Sequence, residues 1–214
     1  MKRQATMLAP TMQSAATDFE EVLGFWFGEL APDGRARPEV AKRWFQGGPA
    51  FDAQVRERFA AVHAALAAGG NAGWLVSARG RLAAVIVLDQ FPRNMFRDTP
   101  AMFASDARAL EYAFDAIDRE NDKQLATEER TFLYMPLMHS EKLSVQERCV
   151  DLFASFRDSL SGPARDAVGR NLEFALRHRD IIRRFARFPH RNAILGRPST
   201  PEEQAFLKEP GSSF

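Results

Sequence analysis

The chain has 214 residues, of which 45% are hydrophobic and 27% are charged, and its formal net charge at pH 7 is +1. This composition is typical of a soluble globular protein that buries roughly 70% of its unfolded surface, and no apolar run approaches the roughly 18 residues of a membrane span. A net charge so close to zero gives no global attraction to nucleic acid or to an acidic surface.

The two ends of the chain are predicted to be tails. Residues 1–16 include Lys2 and Arg3 but lack the apolar segment of roughly 7 residues that a signal peptide needs, so we predict a flexible tail. Residues 17–208 are predicted to form a single all-helical domain, and residues 209–214 a second tail. The only cysteine, Cys149, excludes an intrachain disulfide and favours a reducing compartment, so we predict a cytoplasmic protein.

Apolar residues recur at helical spacing through most of the chain. The first stripe runs from Phe19 to Leu30, with Thr17 and Glu20 placed as a capping box. A short helix over Pro38 to Phe45 and a long one over Phe51 to Leu66 are predicted to follow.

The middle of the chain contains an ambiguous run, LAAVIVL, from Leu82 to Leu88. An unbroken apolar stretch of this length is typical of a buried strand or a buried helix, and its alanines favour the helix. Thr99 and Pro100 are predicted to start the next helix, and Ser144 with Glu147 to form a second capping box.

The last long helix is predicted from about Ala164 to Phe185, and a short one starts at Thr200-Pro201-Glu202-Glu203. No segment alternates with period two for long enough to indicate a strand. The predicted fold is therefore all-α, with antiparallel helix pairs stacked into a tetratricopeptide-like helical domain, although no repeat of about 34 residues is present.

Two stretches of the chain read almost alike, and we call them the first and second corner. They are FPRNMFRDTP, from Phe91 to Pro100, and FPHRNAILGRPSTP, from Phe188 to Pro201. The proline of the first corner is predicted to end or kink its helix, and Pro189 of the second corner is predicted to stop the last long helix, because proline lacks the N–H that a carbonyl of the preceding turn needs. Asn94 suits the left-handed turn of such a helix end. The simplest interpretation is that each corner ends one helix and begins another.

The corners also carry four arginines: Arg93, Arg97, Arg191 and Arg197. If both corners lie at the same end of the helical stack, these guanidinium groups converge and need either carboxylate partners or an anionic ligand. Asp89 and Glu141 are predicted to be the internal partners. An arginine–carboxylate network that holds no ligand is an equally open interpretation.

The connector MHSEKL carries His139, Ser140 and Glu141 between two predicted helices. His139 and His190 lie at breaks between helices, where side chains can point into a cleft. His178 shares a helix face with apolar residues, so it is predicted to be a structural histidine.

The spacing of polar residues argues against several chemistries. No two histidines have the spacing of HExxH or of a zinc finger, so we predict no metal site and no cofactor. Ser140 is adjacent to His139, but GxSxG is missing, as are phosphate-binding glycine loops. Residues 165–197 contain nine arginines and three acidic residues. No nucleic-acid module accompanies them and the rest of the chain compensates their charge, so nucleic acid is not a predicted partner. Because no apolar run approaches the length of a membrane span, a membrane is not a predicted partner either.

Five motifs occur in order along the chain: FWFGEL (25–30), LDQFPRN (88–94), MPLMHSE (135–141), HRDII (178–182) and RFPHRNAILGR (187–197). From about Phe19 to Leu207 the sequence thereby resembles the bacterial family called domain of unknown function 924. The resemblance implies an all-helical, tetratricopeptide-like fold and no assigned activity. It also implies a glycine before RFPHRN, where this chain has Ala186. Since both residues are small, we expect only a local packing contact to differ.

The leading hypothesis is a soluble binding module that holds a small anionic ligand or an acidic peptide end in a polar cleft. The candidate ligand-binding residues are Asp89, Gln90, Arg93, Asn94, Arg97, His139, Ser140, Glu141, Arg187, His190, Arg191, Asn192 and Arg197.

Two alternatives stay open at this point. One is a hydrolase-type or acid–base enzyme, in which His139 or His190 transfers a proton and Glu141 or Asp89 orients it. The other is a tetratricopeptide-like protein–protein scaffold with a groove of exposed apolar residues. The sequence assigns no catalytic residue and does not decide whether the protein is an enzyme.

Overall fold

The computed structural model describes residues 17–212, and these residues form helices and turns without a β-strand. The predicted all-α class is therefore confirmed. Within the same range, no helix combines the length and the apolar character needed to cross a membrane. The tail predicted for residues 1–16 lies outside the described residues.

Ten α-helices follow one another along the described residues. They are α1 Phe19–Phe27, α2 Pro38–Gln46, α3 Gly48–Ala67, α4 Ala78–Val85, α5 Phe91–Met95, α6 Asp106–Asp118, α7 Thr127–Met138, α8 Leu143–Asp158, α9 Gly162–Phe185 and α10 Pro201–Phe206. A π-helical segment, Ile86–Gln90, joins α4 to α5, and 3-10 turns cover Ala72–Val76, Pro100–Phe103, Asn121–Gln124 and Pro189–Arg191. Because α8 and α9 are joined by only residues 159–161, they pack as an antiparallel pair.

The main core is built around aromatic rings and the run LAAVIVL. This run forms the end of α4 and the start of the π-helical segment, and all of it is buried, which confirms the helical interpretation. Trp26 of α1 packs edge-on against Phe91 and Phe132, with ring centroids 5.6 and 5.7 Å away. A separate small core of Ile181, Ile182 and Phe188 lies beneath the second corner. The aromatic core therefore surrounds the segment that leads into the first corner.

The predicted capping box at the first helix is wrong. The residue before α1 is Asp18, and no side chain caps the helix. Glu20 instead pairs with Arg79, at 2.8 Å between the carboxylate and the guanidinium. The carboxylate that the local pattern assigned to the helix cap is therefore engaged in a long-range ion pair instead.

The second predicted capping box is also wrong, whereas the last helix begins as expected. α8 begins at Leu143, so Ser144 lies inside the helix and cannot cap it. At α10, the Thr200 hydroxyl accepts a hydrogen bond from the backbone N–H of Glu203 at 3.2 Å. The Glu203 carboxylate in turn accepts one from the backbone N–H of Thr200 at 2.7 Å, which completes the box.

Candidate functional site

The helix of the first corner does not end at Pro92, so of the two predicted outcomes, an end or a kink, the end is wrong. α5 continues through Pro92 to Met95. The chain widens into the π-helical segment Ile86–Gln90 just before the proline, which gives the proline ring room. Asn94 is accordingly helical, and the left-handed residue of this corner is Asp98, with φ of 60°.

The carbonyls next to Pro92 are satisfied by side chains. Leu88 O accepts a hydrogen bond from the Ser105 hydroxyl at 2.6 Å, and Asp89 O accepts one from the Arg93 guanidinium. Because a buried carbonyl without a donor is costly, these two side chains stabilise the widened turn. As a consequence, the π-helical segment places Asp89 and Gln90 so that their side chains face α7.

In the second corner the helix ends before the proline is reached. α9 ends at Phe185, and Ala186 has φ of 55°, in the left-handed region that favours glycine. Pro189 follows in a separate 3-10 turn, so the prediction that this proline stops the helix is wrong. The left-handed φ of Ala186 explains why the family resemblance implies a glycine at this position, since glycine adopts this angle without strain. The expectation that only a packing contact differs is corrected accordingly: the difference lies in the strain of the backbone.

Arginines from the two corners meet at Asp106, the first residue of α6. Arg93 makes two hydrogen bonds to the Asp106 carboxylate, at 3.0 and 3.1 Å. Arg191 lies 3.7 Å from the same carboxylate. We call Asp89, Arg93, Asp106, His139 and Arg191 the central cluster. Asp106 was not among the site residues predicted from the sequence, because an acidic residue in the first turn of a helix is usually explained by the helix dipole.

Asp89 is the fully buried anion of the central cluster. Its carboxylate accepts hydrogen bonds from the His139 Nδ1–H at 2.8 Å and from the Gln90 amide at 2.6 Å, and Arg93 lies at 3.4 Å. Burial by itself would raise the pKa of Asp89, but Arg93, His139 and Gln90 outweigh it and lower this pKa. Asp89 is therefore a buried carboxylate that its neighbours keep ionised.

Arg191 is the cation of the cluster with the fewest partners. It is 7% exposed, and its Cζ lies over the rings of Phe103 and Phe188, 4.7 and 4.5 Å from their centroids. Within residues 17–212 its buried Nε–H has no hydrogen-bond partner. Burial and then the charge of Arg93 lower the pKa of Arg191 to about 10. It therefore stays charged at pH 7, with donors left over.

Three histidines lie in or beside the central cluster. Burial lowers the pKa of His190 to about 4 and the pKa of His178 to about 3. The pKa of His139 is lowered by burial and by Arg93, against the opposing effect of Asp89. All three are therefore neutral at pH 7. The ionised Asp89 fixes the proton of His139 on Nδ1, which leaves its Nε2 as an acceptor.

Glu141 ties the connector to the second corner. It accepts two hydrogen bonds from Arg197, at 2.7 and 2.9 Å, and one from the backbone N–H of Phe188 at 2.8 Å. Arg197 also donates to the Asn192 side chain at 3.0 Å. Burial would raise the pKa of Glu141, but Arg197 and the Phe188 N–H lower it overall. The guanidinium of Arg197 is thus largely occupied within the protein.

Arg187 is similarly occupied, on the outer side of the second corner. Its guanidinium donates to both oxygens of the buried Glu203, at 2.6 and 2.8 Å. The amide of Asn192 donates to Glu203 at 3.3 Å. These bonds fasten α10 to the second corner, and they explain Arg187 and Asn192 without a ligand.

Three further candidate residues do not reach the central cluster. Arg97 makes two 2.9 Å hydrogen bonds to Asp52 of α3, and Asn94 donates to the same carboxylate at 2.7 Å. The Ser140 hydroxyl accepts a hydrogen bond from the backbone N–H of Lys142 at 3.3 Å. Arg93 and Arg97 therefore point to different carboxylates, although they lie four residues apart.

Gln146 of α8 supports the connector that carries His139. It is fully buried, and its amide donates to Met138 O at 2.6 Å and to Ser140 O at 2.7 Å. A glutamine among the polar residues of an amphipathic helix gives no sequence signal for this role. The position of His139 is consequently set by a residue that sequence reasoning missed.

The part of the chain that the structure describes holds no group of three or more His, Cys, Asp or Glu side chains arranged to bind a metal ion. Two groups of the central cluster offer chemistry: the guanidinium of Arg191, whose Nε–H has no partner among residues 17–212, and the imidazole of His139, which is bound to the Asp89 carboxylate. The first suits anion binding, and the second suits proton transfer.

Comparison with known proteins places the chain in a family. Residues 22–211 match the family model described as bacterial protein of unknown function, DUF924. A solved structure of a protein of unknown function from Agrobacterium tumefaciens is 38% identical, with a TM-score of 0.74, and the match covers 89% of this chain and 96% of that one. No curated protein matches the chain. The chain belongs to the bacterial DUF924 family of proteins of unknown function.

Proposed function

We propose that the protein binds a small anionic ligand and that Arg191 is the residue that holds it. One observation carries the proposal: Arg191 is 7% exposed, and its buried Nε–H has no hydrogen bond within the described residues. Leaving a buried donor unsatisfied costs about 1–3 kcal/mol, and a charged donor more. An anion bound there would recover this free energy.

The neighbours of Arg191 leave it available for a ligand. Within residues 17–212, Arg191 forms an ion pair with one carboxylate, that of Asp106, which lies 3.7 Å away and already accepts two hydrogen bonds from Arg93. Arg93 and Arg197 are both engaged by carboxylates at hydrogen-bond distance. The proposed site therefore involves fewer residues than the sequence predicted. Arg191 contacts the ligand, while Arg93 and Asp106 position the Arg191 side chain.

The two phenyl rings beside Arg191 favour the same function. Phe103 and Phe188 lie against the flat guanidinium, which orders the side chain and excludes water from it. A preordered guanidinium loses less entropy when it binds a carboxylate or phosphate. A binding site for a small polar ligand commonly combines such apolar walls with one or two charged groups.

A thermal-shift experiment tests the proposal. The melting temperature is measured with sodium salts of acetate, benzoate and phosphate, against sodium chloride at equal ionic strength. Wild type is expected to be stabilised by at least one of the three anions in a saturable way. Arg191→Lys, which keeps the charge but loses the planar fork, is expected to lose that stabilisation. Arg97→Lys, the matched control in the first corner, is expected to keep it. A flat response of wild type, or an equal response of Arg191→Lys, contradicts the proposal.

A second candidate function, acid–base catalysis, is favoured by the pair formed by Asp89 and His139. The 2.8 Å hydrogen bond orients the imidazole and leaves Nε2 as a free base, and the His139 side chain keeps 17% of its exposure. Activity in a panel of ester and amide substrates that disappears in His139→Gln and persists in His178→Gln would support it. Activity that survives in His139→Gln would exclude this histidine.

The scaffold alternative has weaker support. In the described range the large exposed apolar side chains are Phe45, Val76, Phe174 and Leu207. They belong to different elements, whereas a peptide-binding groove needs a contiguous apolar patch. We retain the tetratricopeptide-like description and the cytoplasmic location as predictions, the latter favoured by the single buried thiol of Cys149.

A further inference from the structure

The charges around Arg191 balance before any ligand is present. The cations are Arg93, Arg191 and Arg197, and the carboxylates are Asp89, Asp106 and Glu141. Asp106 lies 3.7 Å from Arg191 and also pairs with Arg93, which in turn pairs with Asp89. Glu141 pairs with Arg197, which belongs to the second corner as Arg191 does. Burial lowers the pKa values of the neighbouring histidines, so they are neutral at pH 7. A bound ligand therefore adds its whole charge to a neutral, largely buried group.

The carboxylates nearest to Arg191 limit the charge of the ligand. Asp106 lies 3.7 Å from the guanidinium, so a ligand that contacts the same guanidinium approaches this carboxylate closely. Asp89, which is fully buried, and Glu141 add to the repulsion. Coulombic interactions inside a protein are several times stronger than in water, so each further negative charge on the ligand is disfavoured. The site suits one negative charge better than two.

The planar shape of the Arg191 guanidinium points to the same class of ligand. Phenyl rings lie against the flat guanidinium of Arg191, at 4.5 and 4.7 Å from Cζ to the ring centroids. All the N–H donors of a guanidinium lie in its plane. A carboxylate is planar and accepts two such bonds in that plane, whereas a tetrahedral group sets an oxygen out of the plane and towards a ring.

We propose that the ligand held by Arg191 is an organic monocarboxylate, bound edge-on to the guanidinium, with an apolar body near Phe103 and Phe188. This inference rests on the proposed function and names the class of ligand for the same site. Dianionic phosphate esters are disfavoured by charge, and tetrahedral monoanions such as sulfonates are disfavoured by shape.

Three ligands with the same phenyl body separate charge from shape. Benzoate, benzenesulfonate and phenyl phosphate are titrated calorimetrically into wild type at pH 8 and constant ionic strength, where phenyl phosphate is a dianion and the histidines are neutral. We expect benzoate to bind at least about tenfold more tightly than either of the others, which corresponds to about 1.4 kcal/mol. We also expect Arg191→Lys to lose benzoate binding, and Arg97→Lys to keep it.

The outcomes distinguish the two proposals. Phenyl phosphate that binds as tightly as benzoate, and is lost in Arg191→Lys, overturns the monocarboxylate inference and leaves the anion-binding function standing. Equal binding of benzoate and benzenesulfonate overturns the argument from shape in the same way. If none of the three binds, or if binding survives in Arg191→Lys, both proposals fail.

Removal of one nearby negative charge tests the charge argument directly. Glu141→Gln keeps the side-chain shape and leaves the group with one extra positive charge. We expect this variant to improve the affinity of phenyl phosphate relative to benzoate by about tenfold. Ser144→Ala, a neutral substitution in α8, is the control and is expected to leave the ratio unchanged. A ratio in Glu141→Gln equal to that of wild type overturns the inference. Circular dichroism establishes that each variant is folded.

Discussion

The two corners share the letters Phe, Pro, Arg and Asn but have different backbones. In the first corner the helix passes through Pro92 after a π-helical turn. In the second corner the helix ends at a left-handed Ala186, and Pro189 lies in a separate turn. Even so, each corner delivers one arginine, Arg93 or Arg191, to the same carboxylate, Asp106. The shared letters therefore correspond to shared side-chain chemistry, and each backbone is set by its own surroundings.

The corners also differ in how their arginines are satisfied. Arg93 has hydrogen bonds to Asp106 and to the backbone carbonyl of Asp89. Burial by itself would lower the pKa of Arg93, but the charges of Asp89 and Asp106 outweigh it and raise this pKa overall. Arg191 has a longer ion pair and two phenyl rings, and its pKa is lowered by burial and by Arg93. One arginine thus stabilises the fold, while the other keeps donors that a ligand can use.

The largest expected effect comes from removal of the carboxylate that the corners share. Asp106→Ala leaves Arg93 and Arg191 without their common partner. Because the Asp106 and Arg93 side chains are 20% and 19% exposed, we expect a loss of about 3 kcal/mol, the lower end of the range for buried ion pairs. Urea denaturation measures this loss of unfolding free energy. The control in the same helix is Asp118→Ala, whose side chain is 63% exposed and pairs with Arg148, with an expected effect under about 1 kcal/mol. Equal effects of the two substitutions would mean that the corners do not depend on Asp106.

The second expected effect is a loss of stability in mild acid. The folded protein holds His178 and His190 neutral, with pKa values of about 3 and 4, whereas the unfolded chain protonates them near pH 6.5. The unfolded state thus binds more protons, so stability is complete above about pH 6.5 and falls towards pH 4, by about 1.4 kcal/mol per pH unit for each histidine. Urea midpoints between pH 7 and pH 5 measure the slope. His178→Gln should reduce the slope by one histidine, and an unchanged slope would show that His178 already titrates normally in the folded state.

A smaller effect tests the widened turn of the first corner. Ser105→Ala removes the hydroxyl that donates to the buried Leu88 O at 2.6 Å, and it should cost about 1–2 kcal/mol of unfolding free energy. Ser159→Ala removes a comparable hydroxyl-to-carbonyl bond of 2.7 Å at an exposed helix end, where water can replace it. The control should cost under about 0.5 kcal/mol. Equal losses would indicate that the Leu88 carbonyl is reached by water.

The smallest effect has the opposite sign. Ala186→Gly relieves a left-handed conformation that costs a residue with a Cβ about 1–2 kcal/mol. The greater conformational freedom of glycine in the unfolded chain offsets about 0.4–1 kcal/mol of this gain. A net stabilisation of about 0.5–1 kcal/mol is expected in urea denaturation. Ala68→Gly, after α3 with φ of −85°, has no such strain to relieve and should be neutral or destabilising. Stabilisation by both substitutions would contradict the backbone explanation.

The sequence predicted the helices of this protein more accurately than it predicted how the helices begin. The spacing predicted a short helix over Pro38 to Phe45 and a last long helix from about Ala164 to Phe185, and the structure has Pro38–Gln46 and Gly162–Phe185. The capping boxes at Thr17 and Ser144 were wrong. Helical periodicity involves every residue of an element and so averages out local exceptions, whereas a cap depends on one or two side chains that a distant partner can take.

The candidate site was predictable in its residue types and only partly in its contacts. Asp89 and Glu141 do pair with corner arginines, Arg93 and Arg197. Asp52, Asp106 and Gln146 were missed, because each lies on an amphipathic helix where a polar side chain normally faces solvent. Their roles depend on which helices pack together, and no local pattern in the sequence carries that information.

The sequence by itself determined the helical class, most of the helix positions, the family and the two corners rich in arginine. These properties follow from periodicity and from residue chemistry, which act over a few neighbouring positions. Only the tertiary structure decided that Arg93 and Arg191 share Asp106 and that the Arg191 Nε–H has no partner among the residues that the structure describes. Such contacts join residues far apart in the chain, and they arise when burial of the apolar faces brings the polar ends of the helices together.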